Sequence, residues 1–163
     1  MNLDEIIKKY KDIIFRMVYM HIGDFHKSED ITQEIFIKIY RNLNKFRGDS
    51  SLYTWIYKIA INTIKTHGSK DKELYVDYFE DIPDDAWDES KLLEGIQKAN
   101  VVSLMQSLPN KYKEVLILYY YQDLKVEEIS YITGEPSGTI KSKLHRGRNM
   151  LKSMLLKEGV YNG

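Results

Sequence analysis

The sequence has no cysteine, only three prolines in 163 residues, and no apolar run of membrane-spanning length. Lack of cysteine excludes a disulfide framework, a thiolate metal site and a thiol nucleophile, and it fits a reducing compartment. Without a long apolar run, or a signal peptide's basic-then-apolar start, the chain is expected to be soluble and intracellular, with no direct membrane insertion. Catalytic signatures are missing too. There is no phosphate-cradling glycine-rich loop, no histidine pair at metal spacing on a helix, and no serine nucleophile with partners. The four histidines, His21, His26, His67 and His145, are scattered. His21 and His26 with Asp24 read as residues around a turn rather than as a metal site. No cofactor, metal or covalent chemistry is expected, and nothing reads as a strand or as a 20-to-50-residue repeat.

Net charge is also absent, with 24 basic and 24 acidic side chains, but the balance is local rather than uniform. Residues 1–66 carry 11 basic and 8 acidic groups, residues 67–103 carry 4 and 10, and residues 104–163 carry 9 and 6. Two mildly basic lobes therefore flank an acidic middle. Within that middle, residues 77–90 hold seven acids and no base. Self-repulsion and Pro83 make this an extended tether, with Tyr78, Phe79, Ile82 and Trp87 available to a partner.

What is present is helical periodicity. A core-facing helix is expected over residues 3–21, with Ile6, Ile7, Tyr10, Ile14, Met17 and Val18 inward and Gly23 and Asp24 beyond it. A second is expected over 28–43, capped by Ser28, burying Ile31, Ile35, Ile39 and Leu43. Its opposite stripe, Asp30, Gln33, Glu34, Ile37 and Arg41, puts an apolar centre inside a polar rim, the arrangement that suits a protein partner. After the turn at 44–51, where Ser50 or Ser51 caps the next helix, residues 52–65 are expected to bury Leu52, Trp55, Ile56 and Ile59. Tyr53, Tyr57, Ile61 and Ile64 fall on a neighbouring face, with Lys58, Asn62 and Lys65 beyond. Tyr53 and Tyr57 either pack against other helices or offer rings on which an unpaired base stacks.

One helix is expected through 91–108 and another from Asn110 to about residue 122, with Pro109 at its start. Then comes DLKVEEISYITGEPSGTIKSKLHRGRNMLK. A helix over 126–132 stops at Thr133 and Gly134, and Pro136 and Ser137 start another at a fixed angle. From Ser137 to Lys157 there are six basic residues and no acid. Ile140, Leu144, Gly147, Leu151 and Leu155 share one side, Gly147 allowing close approach of a neighbour. Lys141, Ser142, His145, Arg146, Asn149 and Lys152 share the other, with side chains able to reach base edges and phosphates.

Together these stretches resemble the extracytoplasmic-function (ECF) sigma factors, bacterial promoter-specificity subunits of RNA polymerase. SEDITQEIFIKIYRNLNKFRG and SLYTWIYKIAINT resemble the family's region two, and SLPNKYKEVLILYYYQDLKVEEISYITGEPSGTIKSKLHRGRNMLK its region four. The resemblance implies an all-α chain of two small helical domains, 1–67 and 89–163, joined by a flexible acidic linker, 68–88. It implies docking of Asp30, Gln33, Glu34, Ile37 and Arg41 on the clamp helices of the polymerase's largest subunit, and of region four on the flap of the second-largest. Melting and reading of the minus-ten element would fall to Phe46, Arg47, Asp49, Ser50, Tyr53, Tyr57, Lys58, Asn62 and Lys65. The minus-thirty-five element would fall to Ser137, Thr139, Lys141, Ser142, His145, Arg146, Arg148 and Asn149. An anti-sigma factor, and through it retention of a cytoplasmic protein at the membrane, is a further implication. Two departures stand out: the family usually continues past Asn62 with an acid and an arginine cluster, and it commonly has Gly where this chain has Asp123. The rival reading is a self-sufficient dimeric helix-turn-helix regulator, which has no need of the Ile37 stripe.

Overall fold

The computed structural model describes residues 1–68, 89–98 and 100–157, and among them every regular element is helical. The expected tether, including Tyr78, Phe79, Ile82, Pro83 and Trp87, lies outside the described residues. Three long helices form the first lobe: α1 (Leu3–Ile22), α2 (Phe25–Asn42) and α3 (Leu52–His67). The second lobe comprises α4 (Glu89–Lys98), α5 (Val101–Gln106), α6 (Asn110–Leu116), α7 (Val126–Thr133) and α8 (Ser137–Lys157).

The caps explain where the helices start. Asn2 accepts from the Glu5 amide while the Glu5 carboxylate takes the Asn2 amide, a reciprocal box that satisfies two otherwise orphaned donors of α1. The expected start of α2 is corrected: Asp24, in an extended conformation, accepts from the Lys27 amide, and the helix begins at Phe25. Ser28 is instead fully buried and donates to the Asp24 carbonyl at 2.6 Å, so it closes the first turn from inside. Of the two candidate serines before α3, Ser51 is the cap.

The single helix expected through 91–108 is two. Asn100 adopts an extended conformation and accepts from the Ser103 amide, restarting the chain as α5. Beyond α6 the chain widens into a π-helix over Ile117–Tyr121, closed by the Gln122 amide on the Ile117 carbonyl. Asp123 follows with φ +54, the one non-glycine positive φ among the described residues, a conformation that glycine adopts without a Cβ penalty.

The lobes are not held apart. α3 packs on α7, and α1 on α5 and α6, so the buried apolar residues of both lobes join one cluster running from Ile6 to Leu155. Polar bonds cross the same junction: Gln106 donates to the carbonyls of Met20 and His21 (2.9 and 3.1 Å), and Lys113 to the carbonyl of His21 (2.8 Å). These carbonyls end α1, where a helix leaves acceptors unsatisfied and carries negative potential, so a lysine and an amide from the second lobe cap it.

Candidate functional site

The outer face of α2 follows from its four-residue apolar spacing. Because Ile31, Ile35 and Ile39 are buried against α1 and α3, the stripe opposite must face outward. Asp30, Gln33 and Arg41 are exposed and Ile37 is 49% exposed. Tyr40, absent from the expected set, is 65% exposed beside them; its place three residues after Ile37 was the signal. Glu34 is half-buried and already engaged, by Lys38 at 3.3 Å and His67 at 2.6 Å. Burial pushes its carboxyl up, but these two partners outweigh that and hold it below the usual carboxylate range. A patch with two large apolar side chains in a polar rim is fit for burial against a protein.

The faces of α3 are corrected. Tyr57, Ile61 and Ile64 are in the core with Ile56 and Ala60, whereas Trp55 and Ile59 are only half-buried. The cause is that α3 is enclosed by α1, α2 and α7 together, which the sequence pattern of one helix does not reveal. Tyr57 is 6% exposed and meets Tyr10 edge-on at 6.4 Å; burial pushes its hydroxyl up to about 12. It is a packing residue, not an open ring. Trp55, half-buried like Tyr53, is tilted against Phe46 at 5.3 Å. Trp55 lines two adjoining clefts, one with Asn42, Lys45, Lys58, Ile59 and Asn62, the other with Lys45, Phe46, Arg47, Asp49, Ser50 and Tyr131 of the second lobe. An aromatic floor beside lysine, arginine and asparagine offers stacking, phosphate contact and base-edge hydrogen bonding in one place.

On α8 the exposed residues are Lys141, Ser142, His145 and Arg146, with Ser137, Thr139 and Arg148 half-buried. Here the expected polar face is shorter than supposed. Asn149 and Lys152 are 7% and 4% exposed in a helix that packs on α6 and α4. Lys143 is turned from solvent to Glu135 at 2.6 Å, tying α8 to the turn before it. Gly147 is where α6 comes close: a Cβ there would stand 2.9 Å from Leu116 Cδ1. What remains accessible is one helix face about two turns long, positioned by α7 as in a helix-turn-helix.

Several groups that the expected strand-reading set contains are met by the second lobe. Tyr53 donates its hydroxyl to the Glu128 carboxylate, and this bond is the largest cause of a raised Tyr53 pKa. Lys58 Nζ lies 4.6 Å from the Tyr131 ring centroid, and Lys65 pairs with Glu114 at 3.2 Å. Around the last pair is a cavity of about 90 Å³ lined by His21, Ile61, Ile64, Lys65, Lys113 and Glu114 among others. Burial pushes the Glu114 carboxyl up, with Lys65 opposing. His21 Nδ1 is bonded to the Met17 carbonyl at 2.8 Å and must therefore carry the proton, leaving Nε2 bare, buried and without a hydrogen-bond partner. Burial, joined by Lys113 and Lys65 and opposed by the Met17 bond, lowers its pKa to about 4.

Comparison with known proteins agrees with this anatomy. The family model described as Sigma-70 region 2 matches residues 6–73, and that described as Sigma-70, region 4 matches residues 98–151. The chain is 32% identical over 163 residues to the ECF RNA polymerase sigma factor SigW of Bacillus subtilis, covering 93% of this chain and 87% of that one. It is 31% identical over 160 residues to the ECF RNA polymerase sigma-E factor of Escherichia coli, covering 90% and 82%. Among solved structures, CnrH in complex with the cytosolic domain of CnrY has the same fold, with a TM-score of 0.70 at 16% identity over 96% of this chain and 88% of that one. So does the sigma factor RpoE in complex with the anti-sigma factor NepR from Bartonella quintana, at 0.68, 18%, 94% and 96%. With both region models matched in order along one chain and relatives above 30% identity aligned over most of their length, the chain belongs to the extracytoplasmic-function (ECF) family of RNA polymerase sigma factors.

Proposed function

We propose that this chain works in the cytoplasm as a promoter-specificity subunit with three surfaces: α2 docks on core polymerase, the Trp55 clefts take an unpaired base of the minus-ten element, and α8 reads the minus-thirty-five element. The observation that carries this reading is that one chain presents an apolar-centred docking stripe, an aromatic and basic cleft, and an exposed groove-reading helix face. In this reading Asp30, Gln33, Ile37, Tyr40 and Arg41 meet the clamp helices of the largest subunit. Phe46, Arg47, Trp55, Lys58 and Asn62 serve the unpaired strand, while Lys141, Ser142, His145 and Arg146 enter the major groove. The work is positional: contacts to phosphates fix register, contacts to base edges choose sequence, and the bond-making chemistry stays with the polymerase. An anti-sigma factor is proposed as an inhibitor, by likeness to the two neighbours solved with such partners.

The test is a gel shift on promoter DNA with and without core enzyme. Wild type is expected to bind tightly only with core, and Ile37→Glu to lose that binding, since a charge in the centre of a buried patch leaves an unpaired ion there. Tight sequence-specific binding by the wild-type chain alone would overturn the mechanism and favour a dimeric regulator.

A further inference from the structure

The junction between the lobes has a chemical pattern that packing alone does not require. Three groups of the strand-reading set that the family resemblance implies, Tyr53, Lys58 and Lys65, each meet an acid or a ring from the second lobe: Glu128, Tyr131 and Glu114. Two of these partners, Glu128 and Tyr131, are three residues apart on α7 and so share a face. Tyr131 also walls the cleft of Phe46, Arg47, Ser50 and Trp55, while remaining 40% exposed. The helix that carries them, VEEISYIT, has two acids and no base, and its Tyr131 faces a surface bearing Lys45, Arg47 and Lys58.

We propose that α7 is an internal stand-in for single-stranded DNA: in the closed chain Glu128 takes the place of a phosphate and the Tyr131 ring that of a base, so the second lobe and an unpaired strand compete for one surface. The proposal rests on the reading of the Trp55 clefts as the strand-reading site. The chemistry matches part for part. A nucleotide offers an anion and a flat ring a few ångströms apart, and the site offers the Tyr53 hydroxyl for the first and Lys58 with aromatic walls for the second. Because Tyr131 and Lys58 are partly exposed, each contact is weak by itself and open to displacement by a polyanion with several such units. The consequence is that the free chain does not spend its strand-reading surface on stray single strands.

The test is fluorescence anisotropy of a dye-labelled 20-nucleotide single strand of mixed sequence, titrated with the full chain at low salt. Glu128→Gln with Tyr131→Ala is expected to tighten binding about tenfold, the gain for a site that is open about one-tenth of the time in the wild type. Gln is chosen because Glu128 also accepts from the Lys125 amide at 3.0 Å to cap α7, a bond the amide oxygen keeps. Tyr131→Ala alone, at a position 40% exposed, is expected to give a smaller gain in the same direction with an unchanged thermal midpoint. Trp55→Ala and Lys58→Ala are measured beside them. Unchanged binding by the α7 variants while Trp55→Ala and Lys58→Ala weaken it would overturn the stand-in and leave the strand-reading site intact. No effect from any of the four would remove the site and the stand-in together.

Discussion

Acidification should loosen this protein through one residue. His21 is 8% exposed at the junction of the lobes, with its bare Nε2 in a cavity whose charged neighbours are Lys113 and Lys65, the one acid there, Glu114, being paired with Lys65. In the folded chain it takes a proton only near pH 4, against an ordinary value of 6.5. Between those values the unfolded chain holds the extra proton, so stability from a neutral His21 is complete above about pH 6.5 and is lost as pH falls toward 4. The linkage relation puts the loss at ~2 kcal/mol by about pH 5 and at ~3 kcal/mol once pH is below both values. Glu114 works in the other direction, because burial raises its pKa and its protonation favours the folded form as pH falls. A double difference removes that term: urea unfolding of wild type and of His21→Asn at about pH 7.5 and pH 5. Asn retains a donor for the Met17 carbonyl and has no charge to gain. Wild type should lose ~2 kcal/mol more than the variant over this interval, and the His21 ring signals should remain those of the neutral form at pH 5. Equal losses in the two proteins, or a His21 ring that titrates near 6.5, would refute the account.

Tyr57→Ala should cost about 3–5 kcal/mol of stability, measured by chemical denaturation, because the ring fills the core against Tyr10 rather than facing a strand. Gly147→Ala should lower the melting temperature by an amount corresponding to about 1–3 kcal/mol, since the new methyl would stand 2.9 Å from Leu116 Cδ1 and push α8 from α6. Arg146→Ala should weaken holoenzyme binding to the preferred promoter by ~1–3 kcal/mol and relax the choice at one base pair. Lys152→Ala, at a position 4% exposed, should act on stability and leave the salt dependence of DNA binding unchanged, as read from binding isotherms at several salt concentrations.

The all-helical class, the place of the helix-turn-helix and the outward stripe of α2 were legible because each depends on local information. Glycine and proline punctuate the chain at Gly134 and Pro136, and a four-residue apolar spacing such as Ile31, Ile35, Ile39 leaves only one face for solvent. Ambiguity began where a helix has more than two neighbours. α3 is enclosed by α1, α2 and α7, so Tyr57, Ile61 and Ile64 are core and Trp55 is only half-buried, an inversion that no single-helix periodicity encodes. The same limit applies to α8, whose polar-looking Asn149 and Lys152 are buried in a helix that packs on α6 and α4, neighbours its own periodicity does not reveal. Caps moved the boundaries: Asp24 rather than Ser28 starts α2, and Asn100 divides one expected helix into two, because only the backbone conformation decides which polar residue caps. Least legible of all was the junction of the lobes. Glu128 and Tyr131 on α7 meet Tyr53 and Lys58 on α3 across more than seventy residues of chain, and which groups face each other over that distance is fixed by tertiary packing alone.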